Sequence, residues 1–293
     1  MNHLYRKATV GLFALGVTLP TFAGVTFGDA KSELGALTVS GAVRANYQDK
    51  HYGGAASDQK VQFDAGILKI DYQSSKFFGQ VQYRCYQYER LCDFSTLVDG
   101  YMGYKINPTD RITLGVQPIP FGSGQYWDSS FYASINNTIG LQDAHNLGVN
   151  YHFELDSATQ FDLAYFATDG GNYHGTSRDA ARYTANLVKS SDPNKTELQE
   201  KNMWMARVKQ EFNPQSLPDL KMSVGGSYWY SDIENNHTSA QGSRDAWALF
   251  NTLSYKNFAL SITGGEMSLD NKDSTNPNQS TFGSFDTEYD IAN

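Results

Sequence analysis

The sequence predicts an all-β chain, a transmembrane antiparallel β-barrel of about twelve visible strands that could form part of a larger barrel. Three observations carry that prediction. Apolar and polar residues alternate with a period of two in segment after segment. Short polar connections alternate with long ones, so one end of the sheet is trimmed and the other elaborated. Aromatic residues gather at segment ends, where membrane interfaces would place them.

Composition excludes the main competitors. Of the 293 residues, 14% are aromatic and only 18% charged, the reverse of the disordered signature. No run of about 20 apolar residues offers a transmembrane helix. A formal net charge of -8 gives no nucleic-acid footprint, so no nucleic-acid partner is expected. A soluble β-sandwich would bury its apolar face and has little need of girdles or loop asymmetry.

Arg6 and Lys7 precede an apolar run from Ala8 to Pro20 and the small-residue site Thr21-Phe22-Ala23. This reads as a secretory signal peptide over residues 1–23, cut after Ala23, and leaves a barrel domain over 24–293 that is exported to the cell outer membrane.

The elements follow in order. Residues 37–47 place Leu37, Val39, Val43, Ala45 and Tyr47 opposite Thr38, Ser40, Arg44 and Asn46. Residues 61–72 change phase, which predicts a β-bulge near Gly66, and residues 77–89 change phase in the same way between Tyr83 and Tyr86. Residues 96–106 set Val98, Met102, Tyr104 and Ile106 against Asp99 and Lys105, and residues 111–117 set Ile112, Leu114 and Val116 against Arg111, Thr113 and Gln117. The alternation recurs in 146–153, 160–165, 202–212, 220–230, 246–255 and 258–266, and begins again at 285–291. Only residues 178–189 offer a helical turn or two. A strand of about 11 residues tilted near 45° spans about 25 Å, the height of an outer-membrane apolar band. Tyr47, Tyr72, Tyr104, Tyr151, Phe153, Phe212, Tyr230 and Tyr255 would form the girdles.

Short links are expected at 73–76, 107–110, 154–159, 213–219 and 256–257, and long ones at 48–60, 118–145, 168–201, 231–243 and 269–283, with 90–95 the exception. In an oxidising compartment Cys85 and Cys92, seven positions apart, allow a disulfide across a strand end as well as two free thiols. Their spacing matches no zinc or redox motif, and neither a metal nor a cofactor is implied.

Residues 111–121, RITLGVQPIPF, are followed by a loop rich in Gly, Ser and aromatics and then by HNLGVNY at 145–151. This stretch resembles the third-loop region of Gram-negative outer-membrane porins, closest to the phosphate-selective porin O/P type. The resemblance implies a water-filled diffusion channel in outer-membrane lipid, often a homotrimer, with the loop at 118–145 folded inward. Two departures stand out. That loop has no Lys or Arg, and its only charges are Asp128 and Asp143, whereas an anion-capturing constriction would want cationic donors. The chain also stops at EYDIAN, within an alternating segment, where barrels of this group end on a strand closed by an aromatic residue. A C-terminally truncated porin is therefore expected.

With apolar residues facing lipid, the opposite phase lines the pore. It offers Arg44, Lys69, Arg84, Lys105, Arg111, Arg207, Lys209 and Lys221 against Asp64, Asp71, Asp99 and Asp162. A basic strip facing acidic loop residues would set a transverse field that favours small polar or ionic solutes. No enzyme is expected: there is no HExxH, no GxSxG elbow and no phosphate loop, and His152-Phe153-Glu154 lacks the PCxxC of a zinc deaminase. The second reading is a barrel that binds or adheres through its long external loops, with little conduction.

Overall fold

The computed structural model describes residues 23–48, 60–87, 90–123, 145–169, 173–174, 198–235, 241–270 and 279–289. The strands are β1 (Ala23–Gly28), β2 (Ala36–Gln48), β3 (Lys60–Gln73), β4 (Phe77–Tyr86), β5 (Phe94–Lys105), β6 (Arg111–Pro118) and β7 (His145–Glu154). They continue as β8 (Thr159–Asp169), β9 (Tyr173–His174), β10 (Leu198–Phe212), β11 (Leu220–Asn235), β12 (Gln241–Tyr255), β13 (Phe258–Asp270) and β14 (Gln279–Tyr289). All belong to one sheet in which each strand pairs antiparallel with its neighbour in sequence, except that β10 follows β8 and the short β9 pairs with β5. Among the described residues there is no helix, and β1 pairs with β2 alone and β14 with β13 alone.

Twelve of these strands coincide with the alternating segments of the sequence. β1 and β9 were not anticipated, because AGVTFG continues the apolar leader without changing its character and two residues carry no period. The 178–189 turn, and residues 1–22, lie outside the described residues.

The sheet is inside out relative to a soluble sandwich. Trp204 is 62% exposed and Leu249 64%, with Val43, Leu68, Met102 and Leu114 on the same outer surface. Gln82, Asp99, Thr113, Asp162, Ser223 and Thr263 are buried on the other face. Alternation therefore divides the strands into an apolar exterior and a polar interior.

Aromatic rings mark both borders of the exterior. Toward the short connections, Phe77 meets Tyr104 at 5.2 Å, and Phe153 stacks on Tyr151 and Phe161 at 5.2 and 5.0 Å. Toward the long ones, Tyr165 meets Trp204 at 4.8 Å. Trp204 and Phe212 stand eight positions apart on β10, roughly 26 Å along the strand before tilt.

Short connections at 29–35, 74–76, 106–110, 155–158, 213–219 and 256–257 occupy one end. The other end carries 49–59, 87–93, 119–144, 170–197, 236–240 and 271–278. The hairpin between β11 and β12 is longer than the sequence suggested: pairing runs on to Glu234 and Gln241, so the expected loop 231–243 shrinks to 236–240. The turns are closed by their own side chains. Asn107 Oδ1 accepts from the amides of Thr109 and Asp110 at 2.9 and 2.7 Å, and Asp156 Oδ1 from those of Ala158 and Thr159 at 2.8 and 2.7 Å.

Register shifts fall at the long-connection half. Pairing between β2 and β3 skips Asp64, whose carboxylate meets Arg44 across the bulge. The predicted bulge near Gly66 thus sits two residues earlier. Pairing between β4 and β5 skips Val98, which turns inward against Ala65, Tyr86 and Phe94 rather than outward with Met102. This corrects the phase change expected within 77–89: β4 itself is regular, with Gln82, Arg84 and Tyr86 all facing in. Cys85 and Cys92 are joined, with Cα atoms 4.9 Å apart, and pin the end of β4 to the 87–93 connection.

Replacing both cysteines with Ala is expected to lower unfolding free energy by about 2 to 3 kcal/mol, the entropy of closing so short a loop, read from denaturant titration against the oxidised parent. Hydrogen bonding from Asn107, and from the Ala158 amide, holds the Asp110 and Asp156 carboxyls below the usual range. Their depressed folded values mean that the stabilisation is present above the unfolded carboxylate pKa and is lost as pH falls through the folded one. Asp156→Asn is accordingly expected to flatten the loss of thermal stability below about pH 4.

Candidate functional site

Register builds the interior wall. Cross-strand neighbours align Lys105, Arg111, His152, Asp162 and Arg207 in one row across β5, β6, β7, β8 and β10. Asp162 is the only carboxylate in that row and serves two partners. Its Oδ1 lies 2.9 Å from His152 Nδ1, and its Oδ2 accepts from Arg207 Nη1 at 3.0 Å. Both partners are buried, with Asp162 4% and His152 6% exposed.

β6 ends at Pro118, which has no amide to extend the ladder, and Pro120 follows. The chain turns inward there. Ile119 and Phe121 are buried, the Phe121 amide donates to the Ile119 carbonyl at 2.8 Å, and Gly122 adopts a φ of 68°, a left-handed conformation that favours glycine. Residues 119–123 then cross to strands three, four and six places along the sheet. The Gly122 amide donates to Ser227 Oγ on β11 at 3.0 Å, and its carbonyl accepts from Arg207 Nε on β10 at 2.8 Å. Ser123 Oγ meets Thr263 Oγ1 on β13 at 3.4 Å. Contacts across such a distance require the sheet to curl around the segment.

The segment divides the interior. Phe121 packs edge-on to Trp229 at 5.3 Å and joins Phe166, Met203 and Met205 in a buried apolar cluster. Beyond that cluster, Arg244 sits 4.4 Å over Trp229 and 3.7 Å from Glu200, whose carboxylate also accepts from Ser231. On the opposite side lies a polar cavity of about 400 Å³ lined by Tyr101, Arg111, Gln117, His152, Gln160 and Lys209 among others. A second, apolar hollow of about 710 Å³ opens around Val43, Leu68, Tyr83 and the disulfide.

The pore-lining residues named from sequence divide by what they touch. Arg111, Arg207 and Lys209 share the polar cavity, although Lys209 also donates to Glu211 at 2.6 Å. Arg44 pairs with Asp64 at the bulge, and Lys69 with Asp71 at 3.2 Å. Asp99 is buried, accepts from Gln80 at 2.6 Å and lies 2.9 Å from His145, the first residue of β7. Arg84 is buried on the inner face. Lys105 donates to the Ser74 carbonyl at 3.0 Å, at the short-connection end, and Lys221 is exposed at the start of β11. The eight basic residues do not form one free strip. Asp128 and Asp143 lie outside the described residues.

Sequence reading passed over His145, His152, Tyr101 and Ser227. Both histidines lie in the polar phase of β7 or at its start, but their aspartate partners are 46 and 10 positions away, and only register brings them together.

Neither a protein-family model nor a curated protein matches this chain.

Gly122→Ala is expected to cost about 1 to 2 kcal/mol, since a Cβ is disfavoured at a left-handed φ, and to raise hydrogen exchange in residues 119–123 above that of β6.

Proposed function

We propose that this chain is an outer-membrane porin, exported by residues 1–23, that forms a water-filled channel for passive diffusion of small polar or charged solutes. One observation carries the reading: an inside-out sheet holds a polar cavity beside a segment of its own chain folded across the concave face. An apolar surface bordered by aromatic rings suits lipid, while an inner face lined by charged and amide side chains suits water and solute. In a narrow low-dielectric passage, wall charges act at close range, so a lining cation favours counter-charged or strongly polar solutes.

The sequence reading gave all eight cations the same role. In this reading the role falls chiefly to Arg111, which lines the cavity and makes no ion pair among the described residues. A second reading is favoured by the apolar cluster around Phe121 and Trp229, which narrows the interior: a barrel acting through its long connections, with little conduction.

Planar-bilayer recording of the refolded chain in a tenfold KCl gradient separates the two. Stable conductance steps are expected. Arg111→Ser is expected to move the reversal potential toward cation preference with little change in step size. Barrel-type circular dichroism without steps would favour the binding reading.

A further inference from the structure

We propose that Arg207 and Ser227 together form a clamp on the Gly122 peptide that sets the aperture of the channel, so that Arg207 acts as a positioning residue and not as a filter charge. The inference rests on the porin reading above.

Both backbone groups of Gly122 are held by wall side chains from adjacent strands. Ser227 Oγ on β11 takes the amide, and Arg207 Nε on β10 donates to the carbonyl. The guanidinium has two further contacts. Nη1 donates to Asp162 at 3.0 Å, and the carbon at the centre of the group lies 5.3 Å from the Phe250 ring centroid. Arg207 is 13% exposed at its side chain. A guanidinium is planar and directs its donors at fixed angles, which suits one group bridging a carbonyl and a carboxylate. His152 in turn holds the other oxygen of Asp162, so the bridge is anchored across β7, β8 and β10.

Two consequences follow from this arrangement. The positive charge of Arg207 is matched by Asp162 within hydrogen-bond distance, and that of Lys209 by Glu211, which leaves Arg111 to present charge to a solute. The position of residues 119–123 depends on directional bonds that an ammonium cannot reproduce, because a lysine offers a point charge without the fixed fork. Arg207→Lys therefore separates geometry from charge: it conserves the number of lumenal cations and removes the bridge.

The test uses the full refolded chain in planar bilayers, with conductance and the cut-off for graded polyethylene glycols read for the parent, Arg207→Lys, Ser227→Ala and Arg111→Ser. Arg207→Lys is expected to raise conductance by about twofold, as a wider constriction passes more ions, and to admit larger polymers at an unchanged reversal potential. Ser227→Ala is expected to move both readouts in the same direction. Arg111→Ser should shift the potential and leave the cut-off alone. Parental conductance and cut-off in Arg207→Lys would overturn the clamp. If that variant does not fold, the same null result in Ser227→Ala overturns it. Absence of steps in the parent would sink the porin reading instead. In that event, hydrogen exchange of residues 119–123 still decides the clamp: faster exchange in Arg207→Lys supports it, and unchanged exchange refutes it.

Discussion

Backbone hydrogen bonding between neighbouring strands is the constraint on which this molecule depends. Every strand from β2 to β13, apart from the short β9, has a partner strand on each side, and where they pair the amides and carbonyls are satisfied within the sheet, which leaves the side chains free to sort by face. Where water lies inside and a low-dielectric medium outside, pairing on both sides keeps a strand's polar backbone from facing the apolar side unpaired. The ladder fixes the spacing of side chains in rows, and those rows create the Lys105, Arg111, His152, Asp162, Arg207 alignment that no single strand contains.

The same constraint explains the irregular half of the sheet. When β6 leaves the ladder at Pro118, the first residues of β5 lose the neighbour that Gly100 to Lys105 retain. β9 answers that loss: Tyr173 and His174 pair with Thr96 and Ser95, on the side of β5 that β4 does not occupy. The contact between His145 and Asp99 closes the base of the diversion, linking β7 to β5 across the end of β6. Close approach at this level leaves little room for side chains. A Cβ on Gly115 would lie 2.2 Å from the Gly100 carbonyl oxygen, in a backbone with φ of 134°. Bulges at Asp64 and Val98 lie in the same half, where they add local twist and turn side chains inward.

The interior is not uniform in polarity, and this shapes the proposed channel. Toward the long connections, Phe121, Phe166, Met203 and Trp229 fill the concave face with apolar volume around the buried Glu200 and Arg244 pair. Toward the short connections, the face is lined by amides, hydroxyls and cations. The folded-in segment has one boundary on each region: Phe121 seats it in the first, and the Gly122 peptide ties it to the second. Burial of the ring secures the segment against leaving the concave face, while the hydrogen bonds of Gly122 determine where along the wall it stops.

Period-two alternation determined most of the architecture from sequence alone, because side-chain direction in a strand is a local property that each residue's position along the chain already fixes. It placed twelve strands and assigned their outer faces from residues such as Trp204, Leu249 and Leu114. The short links at 107–110 and 154–159 were equally legible, since turn residues such as Asn107 and Asp156 act on their near neighbours. What only the tertiary structure decided is which charges are free and which are held. Arg111 and Arg207 read alike in sequence, each a cation in the polar phase of a strand. They differ because register brings Asp162 and the Gly122 carbonyl to one of them, and pairing between positions 45 and 85 residues apart leaves no trace in either strand's own pattern. Val98 shows the same limit at smaller scale: a bulge reverses the direction of a side chain, and its cause lies in the pairing of two strands.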